Sequence, residues 1–256
     1  MKRQIAIQEF LNMRESIPVI DVRTPAEFEH GHIPGAFNVP LFSNEERVVV
    51  GTLYKQVGRD QAILKGLEYV GPKMKSIVTQ CREVMNTNEV IVHCWRGGMR
   101  SASVAWLLET TGTKAHTLTH GYKAYRRLAQ EFFAKPYQLI VMGGKTGSGK
   151  TDILKEIALA GEQVIDLEGI AHHKGSAFGT IGEIPQATNE QFENNLFEAL
   201  LKLDEHKSLW IEDESQSIGK NNVPQVLFHN IRNSNIIFID VPKEIRVNRL
   251  VNDCLL

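Results

Sequence analysis

Short apolar runs alternate with helical patterns along the first half of the chain. Residues 18–22, 90–93 and 114–119 are runs of strand length. Residues 101–111 carry apolar side chains on one side and are followed by glycine, which predicts a helix, and residues 122–135 predict another. Strands that alternate with helices are typical of a parallel sheet built from βαβ units. The first half is therefore predicted to be an α/β domain.

The second half repeats this alternation after Pro136, which ends the preceding helix. The predicted strands are 138–142, 163–167, 208–211 and 235–241, and the predicted helices are 150–160, 189–206 and 243–254. We therefore predict two α/β domains, residues 1–135 and 137–256, each long enough to bury a core. Because the last helix reaches almost to Leu256 without a C-cap signal, we expect the second domain to be incomplete.

The composition, 42% hydrophobic and 23% charged, is that of an ordinary globular protein. No apolar run approaches the ~20 residues that span a bilayer, and the N-terminus lacks the apolar segment of a secretory signal. Three cysteines form no disulfide framework, which favours a reducing compartment. We expect a cytoplasmic protein without a membrane partner.

The net charge of −1 excludes a strongly basic nucleic-acid binder but conceals an asymmetry. Residues 1–135 hold 18 Lys and Arg against 13 Asp and Glu, whereas residues 136–256 hold 11 against 17. Candidate phosphate contacts in the basic half are Lys114, Lys123, Arg126 and Arg127. Such a cluster is more often a solvated face, so the charge alone is weak evidence for nucleic-acid binding.

The segment from His93 to Ser101 lies between a predicted strand and a predicted helix and contains a cysteine. Gly97 and Gly98 allow the loop to aim backbone N–H groups inward, toward the positive end of the helix. There the thiolate of Cys94 would be stabilised and nucleophilic. Arg100 supplies a planar fork for a tetrahedral oxyanion such as phosphate. Cys94 and Arg100 are the predicted catalytic residues.

Residues 21–28 and 31–36 resemble the N-terminal signature of rhodanese-type domains, and residues 121–125 resemble their closing segment. These stretches flank the cysteine loop in the order of that family. The resemblance implies a rhodanese-type fold in which Cys94 carries sulfur or selenium. One departure is His120, which stands where the closing motif often has glycine.

The length of the cysteine loop leaves an alternative open. Five residues separate Cys94 from Arg100, whereas rhodaneses usually have four. His-Cys, five residues and Arg-Ser is also typical of cysteine-based phosphatases, including cell-cycle phosphatases that share the rhodanese fold. A longer loop suits a group larger than one sulfur atom, and the loop alone does not choose between the two chemistries.

Residues 144–151 fit the pattern G-x-x-x-x-G-K-[ST], follow a predicted strand and open a predicted helix, which is the context of a Walker A loop. The predicted phosphate-binding residues are Gly144, Gly147, Gly149, Lys150 and Thr151. The Thr151 hydroxyl is also a candidate ligand for Mg²⁺. The candidates for the Walker B carboxylate are Glu212, Asp213 and Asp240.

Residues 166–179 are predicted to form a long polar loop after the second strand, at a place where P-loop proteins commonly contact substrate. The alternative is a surface loop with incidental histidines. His172 and His173 are adjacent, so they do not easily share one tetrahedral site, and no cysteine pair lies near them. We therefore predict no zinc site, and beyond the candidate Thr151 hydroxyl we assign no side chain to a metal.

A rhodanese-type domain followed by a P-loop domain, together with residues 166–169, 174–179 and 210–215, resembles the tRNA 2-selenouridine synthase family across the whole chain. Members of that family continue beyond the point where this chain stops. The resemblance implies a transferase that replaces sulfur by selenium at C2 of the wobble 2-thiouridine of tRNA. The implied co-substrates are selenophosphate and geranyl diphosphate, the latter giving a geranylated 2-thiouridine intermediate.

The resemblance also implies a role for each loop. Cys94 would be the nucleophile or selenium carrier, and Arg100 with the backbone amides of residues 95–99 would hold selenophosphate. The Walker A loop would grip the diphosphate of geranyl diphosphate, which requires no ATP hydrolysis. The implied partners are tRNA and the enzyme that supplies selenophosphate. The alternatives are a cysteine-based phosphatase and a nucleotide-dependent sulfurtransferase.

Overall fold

The computed structural model describes the backbone of residues 3–174 and 184–254 and the side chains of residues 4–174 and 184–251. The chain divides into two compact units, Met1–Leu128 and Ala129–Leu256. The division lies inside a helix, Gly121–Phe133, upstream of the boundary predicted at residues 135–137.

The first unit is built on a five-stranded sheet in which every neighbouring pair is parallel. Its strands are β1 (Arg3–Ile5), β2 (Val19–Asp21), β3 (Phe37–Asn38), β4 (Glu89–His93) and β5 (Lys114–Leu118), in the order β1-β5-β4-β2-β3. Its helices are α1 (Ile7–Met13), α2 (Pro25–His30), α3 (Asn44–Gln56), α4 (Arg59–Val70), α5 (Met74–Glu83), α6 (Met99–Thr110) and α7 (Gly121–Phe133). The α/β class and the parallel sheet are as predicted.

The core of this unit explains which elements the apolar pattern could predict. Strands β2, β4 and β5 are almost fully buried, as expected for parallel strands covered on both faces. Helices α3, α4 and α5, which follow β3, were not predicted. Helix α3 contains no fully buried residue, so its sequence has no continuous apolar stripe to mark it.

The second unit has a four-stranded sheet, again parallel throughout. Its strands are β6 (Leu139–Gly144), β7 (Gln163–Ile165), β8 (Leu209–Glu212) and β11 (Asn235–Ile239), in the order β11-β6-β8-β7, with a separate hairpin of β9 (Ser217–Ile218) and β10 (Asn221–Asn222). Its helices are α8 (Lys150–Leu159), α9 (Leu167–Ala171), α10 (Asn189–Leu201), α11 (Gln225–Arg232) and α12 (Lys243–Cys254).

Two sequence predictions in this unit are corrected. Helix α10 ends at Leu201 instead of continuing to residue 206, and the Asp204 carboxylate accepts a hydrogen bond from the His206 N–H (3.0 Å) in a turn. The predicted loop after β7 begins as a helix, because Asp166 caps α9 by accepting from the Gly169 N–H (2.7 Å). The rest of that loop, residues 175–183, lies outside the described residues. Among the helices of the described part, none is long and apolar enough to cross a membrane.

Candidate functional site

The cysteine loop follows β4, the central strand of the first sheet, and leads into α6. Cys94 is buried, and its Sγ lies 3.3 Å from the hydroxyl of Ser101 in the first turn of α6. That hydroxyl donates to the Gly98 carbonyl at 3.1 Å. A hydroxyl proton can rotate between these two acceptors. The Ser101 hydroxyl can therefore accept from the thiol or donate to the thiolate of Cys94.

The base of this loop is a close contact between two glycine backbones. Gly97 and Gly121 both have positive φ, +63° and +56°. A Cβ on Gly121 would lie 2.6 Å from the Gly97 nitrogen and would collide with the Cys94 carbonyl oxygen. The N-terminus of α7 completes the contact, because the N–H of Tyr122 donates to the Cys94 carbonyl at 2.9 Å. Only glycine fits at both positions.

His120, beside this contact, also has a positive φ of 61°, which explains why glycine is common at this position of the motif. Its side chain is exposed. We expect the His120→Gly variant to be more stable than His120→Ala by about 1 kcal/mol, because alanine in the left-handed region is strained. Both variants lack the histidine side chain, so urea denaturation of the pair isolates the backbone effect. Equal stabilities would contradict the expected strain.

Arg100 is held by a carboxylate from another helix. Its two Nη atoms lie 2.6 Å and 3.2 Å from the two carboxylate oxygens of Glu27, which belongs to the capping box at the start of α2. Burial works against ionisation of Glu27, but the hydrogen bonds from Arg100 outweigh it and lower the pKa of Glu27. In the described residues, Arg100 makes no other hydrogen bond. Its three remaining N–H groups can therefore bind an anion while Glu27 fixes the guanidinium.

A buried ion pair follows β2, the strand beside β4. The Arg23 Nε lies 2.9 Å and 3.0 Å from the two carboxylate oxygens of Asp21, and its Nη2 also donates to the Gly31 carbonyl at 2.7 Å. The Cζ atom of the guanidinium lies 3.9 Å from the ring centre of Tyr122, whose backbone N–H donates a hydrogen bond to the Cys94 carbonyl. Burial opposes ionisation of Asp21, but His93 and Arg23 outweigh it and lower the pKa of Asp21. This pair is a fixed support for the cysteine loop.

The glycine-rich loop of the second unit connects β6 to α8 as predicted. Gly147 and Gly149 have positive φ, +78° and +82°, and Gly149 is the N-cap residue of α8. The Lys150 Nζ reaches back over the loop to the Gly144 carbonyl oxygen, at 3.4 Å. The geometry is that of a phosphate-binding loop at a helix N-terminus, where backbone N–H groups and a lysine face one anion.

Three carboxylates meet beside this loop. Glu212 ends β8, Glu168 lies in α9 and Glu214 follows β8, and one oxygen from each lies within 4.8 Å of the other two. The Thr151 hydroxyl donates to Glu212 Oε1 at 2.9 Å. Glu212 is fully buried, and its Oε2 accepts no hydrogen bond from any described residue. An orphaned buried carboxylate oxygen beside a threonine hydroxyl is what a hard divalent cation would satisfy.

The cluster is electrostatically unfavourable without such a cation. Burial, followed by the charge of Glu168, raises the pKa of Glu212 to about 7. Burial and the neighbouring Glu214 likewise raise the pKa of Glu168 to about 7. Burial and the charge of Glu212 also raise the pKa of Glu214. Near neutral pH the cluster therefore retains protons that a bound cation would displace.

Of the three candidates for the Walker B carboxylate, only Glu212 contacts the P-loop threonine among the described residues. Asp213 instead pairs with Arg232 of α11. Asp240 follows β11 and is exposed. Glu168 and Glu214 had not been singled out as ligands. The sequence does contain an indication of both residues, because each follows one of two neighbouring parallel strands, and the carboxyl ends of such strands meet at one edge of the sheet.

The two loops and the sheets that hold them define a class of protein: a rhodanese-like domain with a cysteine loop, followed by a P-loop domain. Family models match in the same order, with "Rhodanese-like domain" over residues 6–128 and "tRNA 2-selenouridine synthase AAA domain" over residues 137–256.

Proteins named tRNA 2-selenouridine synthase are similar to almost the whole chain. The protein from Nitrosomonas europaea is 39% identical over 93% of this chain and 64% of its own length. The corresponding values are 41%, 95% and 66% for Bdellovibrio bacteriovorus, and 38%, 91% and 67% for Hydrogenovibrio crunogenus. The chain belongs to the tRNA 2-selenouridine synthase family. It spans 64% and 66% of the length of the first two of these relatives.

Proposed function

We propose that this chain is a tRNA-modifying selenotransferase, which replaces sulfur by selenium in wobble 2-thiouridine. The observation that carries the proposal is the 39–41% identity, over 93–95% of the chain, to relatives named tRNA 2-selenouridine synthase. The paired cysteine loop and P-loop support it, because each is built to face an anion. Selenophosphate is the proposed selenium donor. The proposed partners are tRNA and the enzyme that supplies selenophosphate.

In the first unit, we assign Cys94 as the nucleophile or selenium carrier. Its burial beside Ser101 keeps bulk water away from the sulfur while giving a thiolate one hydroxyl donor. Arg100, fixed by Glu27, would bind the oxyanion of selenophosphate together with the backbone N–H groups of residues 95–99. The preformed contact with Glu27 reduces the entropy lost when that anion binds.

In the second unit, we assign the P-loop to the diphosphate of geranyl diphosphate. The thiocarbonyl sulfur of the nucleoside would attack C1 of the geranyl group, the C1–O bond would break, diphosphate would leave, and N3 of the base would lose its proton to solvent. Lys150 and the loop N–H groups would stabilise the leaving diphosphate. Thr151, Glu168, Glu212 and Glu214 would hold Mg²⁺, which when bound would neutralise phosphate charge.

The test is nucleoside mass spectrometry on tRNA from cells that lack the corresponding gene, supplied with this chain or a variant. We expect selenouridine with the wild-type chain and none with Cys94→Ala, because the reactive sulfur is absent. Cys81→Ala is the matched control, since Cys81 is a second buried cysteine in the same unit and burial raises its pKa to about 12.

The outcomes separate the assignments. Geranylated thiouridine that accumulates with Cys94→Ala would support a first step at the P-loop, and its loss with Lys150→Ala would support the diphosphate assignment. Selenouridine formed by Cys94→Ala would contradict the role of Cys94. No selenouridine with the wild-type chain, under conditions in which a full-length relative forms it, would contradict the proposal for this chain.

A further inference from the structure

Helix α12 lies directly against the P-loop. A Cβ on Gly147 would be 2.7 Å from the Arg246 carbonyl oxygen and 3.0 Å from Cγ of Leu250. The Arg246 side chain is bonded to the loop as well, because its Nη1 donates to the Thr146 carbonyl at 3.1 Å. Its Nε donates to the Val241 carbonyl, also at 3.1 Å. Arg246 therefore fastens the start of α12 to the backbone of the loop.

One turn further along α12, the guanidinium of Arg249 lies against Gly149, the N-cap residue of α8. A Cβ on Gly149 would collide with the Arg249 Nη1 and would lie 3.2 Å from its Nη2. Arg249 is exposed, and among the described side chains, which in this helix end at Val251, it has no hydrogen-bond or ion-pair partner. The glycine therefore makes room for a guanidinium that no protein group in the described part neutralises.

Three positive groups meet at this position, although Lys150 is also attracted by the nearby carboxylate cluster. The N-terminus of α8 carries a partial positive charge, and Lys150 adds a full one. A third positive group at the same helix end repels both. An anion in the loop would attract each of these positive groups and so offset their mutual repulsion, and a planar guanidinium can bind two phosphate oxygens at once.

We infer that Arg249 is a phosphate-binding residue of the P-loop, which acts together with Lys150 on the diphosphate of an organic diphosphate ester. In this arrangement Arg246 is a positioning residue, which holds α12 so that Arg249 reaches the loop. The inference rests on the proposed function of the P-loop. It adds to the loop the guanidinium of Arg249, which lies 100 residues after Gly149 in the chain.

Calorimetric titration of the 256-residue chain with inorganic pyrophosphate tests this assignment. We expect Arg249→Ala to raise the dissociation constant about tenfold, the value of one lost charge-assisted hydrogen bond. Arg249→Lys should fall between Arg249→Ala and the wild type, because a lysine keeps the charge but not the bidentate geometry. Lys243→Ala is the matched control, since it removes one exposed cation from the same helix and should change binding less than about twofold.

A second readout separates binding from structure. Without pyrophosphate, Arg249→Ala should unfold at the same temperature as the wild type or higher, because a repulsion has been removed. With pyrophosphate, it should gain less stability than the wild type. If the wild-type chain binds pyrophosphate but Arg249→Ala weakens binding no more than Lys243→Ala does, the inference about Arg249 is wrong. The proposed function of the P-loop is then unaffected. A wild-type chain that does not bind pyrophosphate would overturn the proposed function of the loop together with this inference.

Discussion

Replacement of Arg23 by alanine is expected to destabilise the first unit by about 3–5 kcal/mol, because it leaves the Asp21 carboxylate buried without its cation. Both side chains are almost completely inaccessible to water, so no solvent can replace the lost hydrogen bonds. A loss of this size is a large fraction of the roughly 5–15 kcal/mol by which a folded domain is stable. The measurement is urea denaturation of the full chain, followed by circular dichroism.

A matched control is Lys114→Ala, which breaks an exposed ion pair with Glu89 in the same unit. That pair should contribute less than about 1 kcal/mol, since water screens it. Adding Asp21→Asn to Arg23→Ala should recover part of the loss, because the uncompensated charge is then removed. A midpoint for Arg23→Ala equal to that of Lys114→Ala would show that the buried pair does not support the fold.

The stability of the second unit is expected to fall as the pH rises from about 4.5 to about 7, and Mg²⁺ is expected to reverse this trend. Glu212 has an ordinary pKa of 4.5 and a pKa of about 7 in the folded chain, so the folded state binds the proton more tightly than the unfolded state. The resulting cost is absent below about pH 4.5 and complete above about pH 7. At roughly 1.4 kcal/mol per pKa unit it amounts to about 3 kcal/mol for this buried group.

Glu212→Gln tests this expectation, because it removes the charge while keeping an oxygen for the Thr151 hydroxyl. At pH 8 without Mg²⁺ this variant should unfold at a higher temperature than the wild type, and Mg²⁺ should no longer stabilise it. Asp213→Asn and Asp240→Asn are the controls, since each removes a neighbouring carboxylate that lies outside the cluster. If Mg²⁺ still stabilised Glu212→Gln but no longer stabilised one of the two controls, the cation would bind that control's carboxylate, and the assignment to Glu212 would be wrong.

Local rules explain why much of the fold could be predicted from the sequence. The strand, glycine-bearing loop and helix around Cys94, and the same succession around Lys150, depend on residues adjacent in the chain. Helix α12 has the predicted bounds, Lys243–Cys254, for the same reason. Strand β7 is shorter than predicted, because capping of α9 by Asp166 ends the extended backbone at Ile165.

The unpredicted features depend on residues distant in the chain. Arg100 was expected to face an anion, but nothing in the cysteine loop indicates that Glu27, 73 residues earlier, holds its guanidinium. The carboxylate cluster likewise joins α9 to residues at and just after the end of β8. Such contacts follow from strand order, which the periodicity of single elements does not specify.

The contact between Gly97 and Gly121 has a consequence for how this loop can diversify. Because the base of the cysteine loop is a contact between peptide groups, its shape depends on the two glycines and not on the exposed side chains of the loop. The exposed side chains of Arg96 and Met99 can therefore vary, by drift or by directed evolution, while the backbone holds the Cys94 sulfur in place. Libraries that randomise these two positions and keep both glycines should yield altered acceptor preference far more often than unfolded protein.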